Sequence, residues 1–133
     1  MRDKKNEFIQ LSDVEQEIMM IVWNAKTEKI TSIYIRNNFS REWAIQPITT
    51  VLNRLIKKGY IQCEKDIDIN RNVYTAIITK DEYKKSVSKS FLEKIFGNSL
   101  SDLLTSLYNC NCISQKDIDE LQSFINNTKN LEE

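Results

Sequence analysis

The stretch from Gln46 to Ile61 constrains the fold most strongly, because it has the pattern of one amphipathic helix with a defined start and end. Pro47 suits the first helical turn, and Gly59 suits a helix end, where left-handed backbone is common. At about 100° per residue, the apolar side chains form one continuous arc: Ile48, Val51, Leu52, Leu55 and Ile56. The other arc carries amides, hydroxyls and cations but no carboxylate. Those groups suit a phosphate-lined groove with base edges on its floor, so we predict a DNA-recognition helix.

The residues after this helix predict a β-hairpin. Residues 60–65 and 73–78 are β-prone, and residues 66–72 between them are turn-prone, with Asn70 and Asn72 tolerating left-handed φ. Most amphipathic patterns of this kind are ordinary surface helices. The glycine and the hairpin favour a more specific interpretation, a winged helix-turn-helix with Arg71 at the tip of the wing. We therefore predict a mostly α fold with a small β-hairpin wing and a C-terminal helical dimerisation segment.

Capping patterns mark the starts of further helices. Ser12 with Glu15, Thr79 with Glu82 and Ser114 with Asp117 each have the spacing of a capping box, and Thr31 suits the start of a short helix through about Asn38. Residues 1–10 are expected to be a disordered or fraying lead-in. We divide the chain into a DNA-binding domain, residues 1–79, and a helical dimerisation domain, residues 80–133.

The composition fits one small domain with an appendage. The chain has 133 residues, 41% of them hydrophobic, with only two glycines and one proline, which favours helices joined by short connections. No apolar run is long enough for a membrane span, and the first residues do not resemble a secretory signal. We therefore expect a cytoplasmic protein. The net charge is zero, but residues 36–71 carry 7 basic and 4 acidic residues, so the positive excess surrounds the proposed helix and wing.

The side chains predicted to contact DNA fall into two groups. Amides and hydroxyls of the recognition helix are the candidates for base edges: Gln46, Thr49, Thr50 and Asn53. Cations near the helix, the preceding turn and the wing are the candidates for phosphates: Arg36, Arg41, Arg54, Lys57 and Arg71. Arg54 has an alternative role as the partner of an acidic residue inside the domain. Trp43 is expected to pack against the core instead of stacking on a base.

The C-terminal third is too apolar for three isolated helices. Its large side chains recur at helical spacing, and pairing between two chains would bury them. We therefore expect a homodimer. The residues assigned to its interface are Phe91, Ile95, Leu100, Leu103, Leu104, Leu107, Ile118, Leu121 and Ile125.

Catalysis is not expected, because the chain has no histidine and its two glycines cannot form a phosphate-binding loop. We expect no cofactor. Cys110 and Cys112 form the one arrangement that resembles a metal site, since a dimer would bring four thiolates together, but free reduced thiols are the default expectation. Cys63, on a predicted strand, is expected to be a small core residue.

The chain resembles the penicillinase-repressor family, which includes the β-lactamase and methicillin-resistance repressors and the copper-transport-operon repressors. The resemblance runs from Leu11 to Ile125. It is carried by Val22-Trp23 in the first helix, by Lys58-Gly59-Tyr60-Ile61 after the recognition helix and by Phe96-Gly97 before the dimerisation segment.

This resemblance implies a dimeric repressor on a palindromic operator, in control of β-lactamase or related resistance genes and relieved by a membrane sensor protease. The Asn–Phe cleavage site of the family falls by position at Ser106-Leu107, and both residues differ here. The copper-responsive branch carries two Cys-x-Cys pairs where this chain has one, so a metal-responsive repressor sensing through Cys110 and Cys112 is an alternative. A winged helix used only for protein contacts is another.

Overall fold

The structure, a computed structural model, describes residues 8–132 and contains six helices and one hairpin in that range. In chain order these are α1 (Asp13–Trp23), α2 (Ser32–Asn38), α3 (Ile45–Lys57), β1 (Ile61–Asp66), β2 (Arg71–Ala76), α4 (Lys80–Phe96), α5 (Leu100–Asn109) and α6 (Gln115–Glu132). This order confirms the predicted mostly α fold with a hairpin wing. None of the described helices is long and apolar enough to cross a membrane.

Two compact units divide the chain, the first ending at Ser88 and the second beginning at Lys89. Helix α4 contributes residues to both. The functional division into residues 1–79 and 80–133 stays a prediction.

The predicted helix starts are present as hydrogen bonds. Ser12 Oγ accepts from the backbone N–H of Glu15 at 3.2 Å, and Glu15 Oε1 accepts from the backbone N–H of Ser12 at 2.8 Å. The same reciprocal pair joins Thr79 and Glu82 at the start of α4. Thr31 Oγ1 caps α2 by accepting from the backbone of Tyr34 at 3.1 Å. These contacts satisfy N–H groups that a helix start would otherwise leave unpaired, which fixes where each helix begins.

The core of the first unit lies among α1, α2, α3 and the base of the hairpin. The apolar arc of α3 faces it, with four of the five predicted residues buried and Ile56 half-buried. The ring of Trp43 lies 4.8 Å from that of Phe39, which confirms the predicted packing role of Trp43. The buried apolar residues are Leu11, Ile18, Met19, Val22, Ile30, Ile35, Phe39, Ile48, Val51, Leu52, Leu55, Tyr60, Ile61, Tyr74 and Ile78.

The hairpin turn is shorter than predicted. Ile61 pairs with Ala76 and Asp66 with Arg71, so the turn comprises residues 67–70 only. Asn70 has a φ of +53°, the left-handed conformation expected for it. The prediction that Arg71 lies at the tip was wrong: Arg71 is the first residue of β2, opposite Asp66, because the ladder extends farther than the turn-prone sequence indicated.

Pro47 lies in the first turn of α3, as predicted, although the helix begins two residues earlier; its missing N–H costs no helical hydrogen bond there. Two other local predictions in the first unit were wrong. Cys63 is exposed, since only Ile61 of β1 is buried. Residues 8–10 are held by side chains of the domain, as shown by the Tyr60 hydroxyl, which donates to the backbone oxygen of Ile9 at 2.6 Å. Residues 1–7, the rest of the predicted lead-in, lie outside the described residues.

The second unit exposes much of its apolar surface. Leu103, Leu104 and Leu107 are half-buried. The other residues assigned to a dimer interface are exposed in the single chain: Phe91, Ile95, Leu100, Ile118, Leu121 and Ile125. Neither α4 nor α5 has a fully buried residue.

Candidate nucleic-acid interface

The outer face of α3 carries the side chains predicted to read bases. Gln46, Thr50 and Asn53 are exposed and Thr49 is half-buried, whereas the opposite face of the helix enters the core. Gln46, Thr50 and Asn53 are spaced by four and then three residues, so they follow one stripe along the helix surface. The structure therefore brings three of the four predicted base-contacting residues onto one outward stripe.

The two threonine hydroxyls are used inside the helix. Thr49 Oγ1 donates to the backbone oxygen of Ile45 at 3.1 Å, and Thr50 Oγ1 donates to that of Gln46 at 3.0 Å. A hydroxyl has one proton, so neither threonine has a second one to donate to a base. What Thr50 offers outward is a methyl group and an oxygen that can accept a hydrogen bond. On the floor of a groove, Thr50 can therefore make an apolar contact or accept a hydrogen bond, but it cannot donate one.

The cations at the end of α3 separate into two kinds. Arg54 and Lys57 are exposed in the last turn. Lys58, the next residue, points inward: its Nζ lies 2.7 Å from Oε1 of Glu15 and 3.0 Å from the backbone oxygen of Gln10. The internal ion pair considered for Arg54 is therefore made by Lys58, and Arg54 takes part in no ion pair between the described residues.

The turn between α2 and α3 forms an open cleft of about 440 Å³. Arg36 and Arg41 line it together with Trp43, and the Arg41 guanidinium carbon lies 5.9 Å from the centre of the Trp43 ring. Ala44, at the start of α3, also lines the cleft and provides no side-chain hydrogen bond to the helix. Glu42 lines the cleft as well, but two arginines and the partial positive charge of the helix start outweigh its single carboxylate, so the cleft favours anions.

The surface of the wing carries charges of both signs, although the sequence indicated a positive excess there. Lys29 Nζ lies 3.2 Å from a carboxylate oxygen of Asp66 and 3.9 Å from one of Asp68. Desolvation would raise the pKa of Asp66, but the hydrogen bonds from the Ile69 backbone and Lys29 outweigh it and hold the pKa below its usual value. Ile67, between the two acids, is 89% exposed. Lys65 and Arg71 are the two cations of the hairpin strands, and both are exposed, so they are the candidates for a contact of the wing with phosphate.

The carboxylates that hold this interface in place were not predicted as such from the sequence. Glu17, on α1, accepts two hydrogen bonds from Ser40, and Glu15 was recognised only as a helix cap although it also pairs with Lys58. Glu15 is an acidic residue that is only 2% exposed in the folded chain, and a buried carboxylate needs a partner. Its partner lies 43 residues away, which local patterns cannot identify.

The remaining predicted sites lie in the second unit. Ser106 is exposed and Leu107 is half-buried, and both are within α5. Cys110 and Cys112 follow α5, and their sulfur atoms are joined in a disulfide, so the expectation of two free thiols was wrong for this structure. Within residues 8–132 no group of three or more His, Cys, Asp or Glu side chains is placed to hold a metal ion.

Comparison with known proteins assigns the chain to a family. A family model described as "Penicillinase repressor" matches residues 11–127. The methicillin resistance regulatory protein MecI of Mammaliicoccus sciuri is 29% identical over 121 residues, which are 91% of this chain and 97% of that protein. The penicillinase repressor of Bacillus licheniformis is 28% identical over 121 residues, 91% of this chain and 93% of that protein. These relatives are named as a regulatory protein and a repressor.

Two solved structures extend the comparison. The DNA-binding domain of the repressor BlaI is 32% identical in sequence, covering 62% of this chain and 94% of that domain with a TM-score of 0.48. MepR, a transcription regulator of the Staphylococcus aureus multidrug efflux pump MepA, shares the fold at 12% identity, with a TM-score of 0.50 over 93% of this chain and 82% of that one. The predicted resemblance is confirmed by the family match: the chain belongs to the penicillinase repressor family.

Proposed function

We propose that the protein is a dimeric transcriptional repressor that binds palindromic operator DNA through α3 and controls β-lactamase or related resistance genes. The observation that carries this proposal is the outward stripe of Gln46, Thr50 and Asn53, flanked by exposed cations, in a chain of the penicillinase repressor family. Its relatives are named for the regulation of methicillin resistance and for the repression of penicillinase. The protein has no catalytic role in this proposal.

Base recognition is assigned to the amides and the threonines of α3. Each amide of Gln46 and Asn53 presents a donor beside an acceptor, which matches the donor and acceptor of adenine in the major groove. Thr50, with its proton committed inside the helix, contacts a thymine methyl group or accepts from a base amino group. Thr49 is half-buried and reaches the groove only at its edge.

Phosphate contacts are assigned to the surrounding cations. Arg54 and Lys57 extend from the end of α3, and Arg36 and Arg41 line the cleft beside its start. On the wing, the phosphate contact is assigned to the exposed Arg71. These contacts fix the position of α3 on the duplex but carry no sequence information.

Dimerisation is assigned to the second unit. Its exposed apolar side chains would be costly to leave in water, and a twofold pairing buries the same side chains in both chains. Two copies of α3 then enter major grooves about one helical turn apart, which explains a palindromic target. A DNA target also implies a cytoplasmic location.

Relief of repression is assigned to a membrane sensor protease. The position that corresponds to the cleavage site of the family, Ser106-Leu107, lies inside α5. A protease binds an extended substrate, so α5 would have to unfold locally before cleavage there.

A selection experiment tests the proposal. The protein is mixed with a pool of duplexes that contain a randomised central segment, and bound duplexes are recovered and sequenced. We expect enrichment of one palindromic sequence that binds at least about 1,000-fold more tightly than a scrambled duplex, which is the lower end of the range typical of specific regulators. Lys57→Ala should weaken binding to both duplexes and reduce the salt slope by about one. Equal affinity of the parent protein for the pool before and after selection would refute the proposal.

A further inference from the structure

Helix α1 presents two carboxylates to the segments that begin and end α3. Glu17 contacts the turn before α3, and Glu15 contacts the residue that follows its last turn. Neither lies on the outward stripe of α3. Both are placed where they determine the position of that stripe relative to the rest of the first unit.

The contact at the start of α3 is made by both oxygens of Glu17. The backbone N–H of Ser40 donates to Oε2 at 2.8 Å, and the Ser40 hydroxyl donates to Oε1 at 2.9 Å. Ser40 lies between the buried Phe39 and Arg41, whose guanidinium faces Trp43. Apolar packing of Phe39 brings this turn against the core, but such packing has little directionality. Two hydrogen bonds to one carboxylate fix the orientation of the turn as well as its distance.

The contact at the end of α3 is the pair formed by Glu15 and Lys58. The ammonium of Lys58 donates to Glu15 and also to the backbone oxygen of Gln10. The Glu15 carboxylate accepts from the Ser12 backbone as well, so it is tied to the start of α1. The end of α3 is therefore already held to α1, and only the orientation of its start depends on Glu17.

We propose that Glu17 is a positioning residue for DNA recognition: by holding Ser40, it sets the angle at which α3 presents its outward stripe. This inference rests on the proposed function. A carboxylate near the DNA-facing side of the domain opposes phosphate electrostatically, so by charge alone Glu17 weakens binding to any DNA. Its benefit is in orientation, which matters only for contacts with base edges. Glu17 should therefore affect the ratio of specific to non-specific affinity and not affinity as such.

The test compares two substitutions that change the charge equally. Glu17→Gln keeps one acceptor oxygen and replaces the other with an NH2 group that can only donate, so the Ser40 hydroxyl must reverse its role and both hydrogen bonds become neutral. Glu42→Gln removes a charge from the cleft beside Arg41, two residues from Ser40, and serves as the matched control. Each full-length variant is titrated at one salt concentration against the duplex selected with the parent protein and against a scrambled duplex of equal length.

For Glu17→Gln, we expect roughly tenfold weaker binding to the selected duplex, because the two hydrogen bonds between Ser40 and a charged carboxylate are replaced by weaker neutral ones. We expect unchanged or slightly tighter binding to the scrambled duplex. For Glu42→Gln, both duplexes should bind roughly two- to threefold more tightly, with the ratio preserved. A general loss of folded protein would lower both affinities together, so the ratio distinguishes positioning from stability.

The outcomes separate this inference from the proposed function. If the parent protein selects no duplex, the proposed function fails. If the parent is specific and folded Glu17→Gln keeps the same ratio, the positioning role is refuted. If Glu17→Gln does not fold, Ser40→Ala decides the matter, since it removes one of the two hydrogen bonds and leaves Glu17 in place. Its ratio should fall roughly threefold, and an unchanged ratio would refute the inference.

Discussion

The ammonium of Lys58 lies 2.7 Å from Oε1 of Glu15, a carboxylate that is only 2% exposed. This contact joins the residue after α3 to the first turn of α1, across 43 positions of sequence. The same carboxylate accepts from the backbone of Ser12. The stability of the fold depends on the ammonium and the backbone N–H that hold this buried carboxylate, because removal of either partner leaves its charge uncompensated.

Lys58→Met should therefore destabilise the first unit. The substitution keeps the apolar stem but leaves Glu15 buried without its counter-charge, which costs about 2–4 kcal/mol after allowance for the partial exposure of Lys58. Urea unfolding followed by circular dichroism measures this. Lys57→Met, one residue earlier on the exposed face of α3, is the control and should change the free energy of unfolding by less than about 0.5 kcal/mol. Similar losses of unfolding free energy for both variants would show that the pair of Glu15 and Lys58 does not stabilise the fold.

The stability of the protein should also fall at low pH through Glu15. Burial alone would raise the pKa of Glu15, but hydrogen bonds from Lys58 and Ser12 and the charge of Lys58 outweigh it, so the pKa lies below its usual value. A lowered pKa in the folded state means that the stabilisation is complete above the unfolded value of about 4.3 and is lost as pH falls through the folded value.

Glu15→Gln removes this titration and should flatten the decline of unfolding free energy below about pH 5. The decline should not vanish, because the pKa values of Asp66 and Asp117 are also lowered, Asp66 by backbone and Lys29 hydrogen bonds that outweigh desolvation and Asp117 by hydrogen bonds from Ser114. Urea midpoints measured between pH 3 and pH 7 provide the comparison. Parallel curves for parent and variant would show that Glu15 is not a source of the acid sensitivity.

Much of this fold was predictable because its signals are local. Ser12 and Glu15 lie three residues apart, so a capping box can be identified without knowledge of the tertiary structure. The outward and inward arcs of α3 follow from helical geometry alone. The turn-prone residues after β1 located the wing, but they did not determine where the ladder ends, and Arg71 was therefore placed one position too far into the turn.

The roles of Lys57 and Lys58 were not predictable in this way. Both are lysines at the end of one amphipathic helix, and sequence gives them the same chemistry. Only the position of Glu15 in the folded chain turns Lys58 inward and leaves Lys57 on the surface. Cys63 was misassigned for a related reason: an alternating strand has a buried face only where another element covers it, and β1 is covered only at Ile61.

Two substitutions of Thr50 should separate the contributions of its methyl group and its hydroxyl. Because the hydroxyl proton is donated to the backbone of Gln46, Thr50→Val keeps the outward methyl surface and loses only an acceptor. Thr50→Ala loses the methyl contact as well. We expect Thr50→Ala to weaken binding to the selected duplex by about 1–3 kcal/mol and Thr50→Val by less than half of that. Asn53→Ala should match the larger loss.

Fluorescence anisotropy with the selected and scrambled duplexes measures both effects. Binding to the scrambled duplex should stay constant for all three variants, since these side chains carry no charge. Equal losses for Thr50→Val and Thr50→Ala would show that the oxygen, and not the methyl group, makes the decisive contact.

The apolar surface of the second unit leads to the last prediction, which concerns assembly. Ile95 is 65% exposed in the single chain and belongs to the set assigned to a twofold interface. In such an interface each substitution occurs twice, so Ile95→Asp removes two buried side chains and introduces two carboxylates into apolar surroundings. The loss of burial alone amounts to about 3–5 kcal/mol per dimer, and the dimer dissociation constant should therefore rise by at least about 100-fold. The matched control is Ile67→Asp on the wing, the same substitution at an isoleucine that is 89% exposed in the first unit.

Sedimentation velocity across a range of concentrations distinguishes the two variants. The parent and Ile67→Asp should sediment as dimers at micromolar concentration, whereas Ile95→Asp should sediment as a monomer with an unchanged helical spectrum. The Ile95→Asp monomer should still bind one half of the selected palindrome, because α3 and its supporting carboxylates lie wholly in the first unit. It should bind the full palindrome without cooperativity. A parent protein that is monomeric at these concentrations yet occupies the palindrome cooperatively would show that pairing occurs through the DNA-bound units, and the assignment of the second unit to dimerisation would then be wrong.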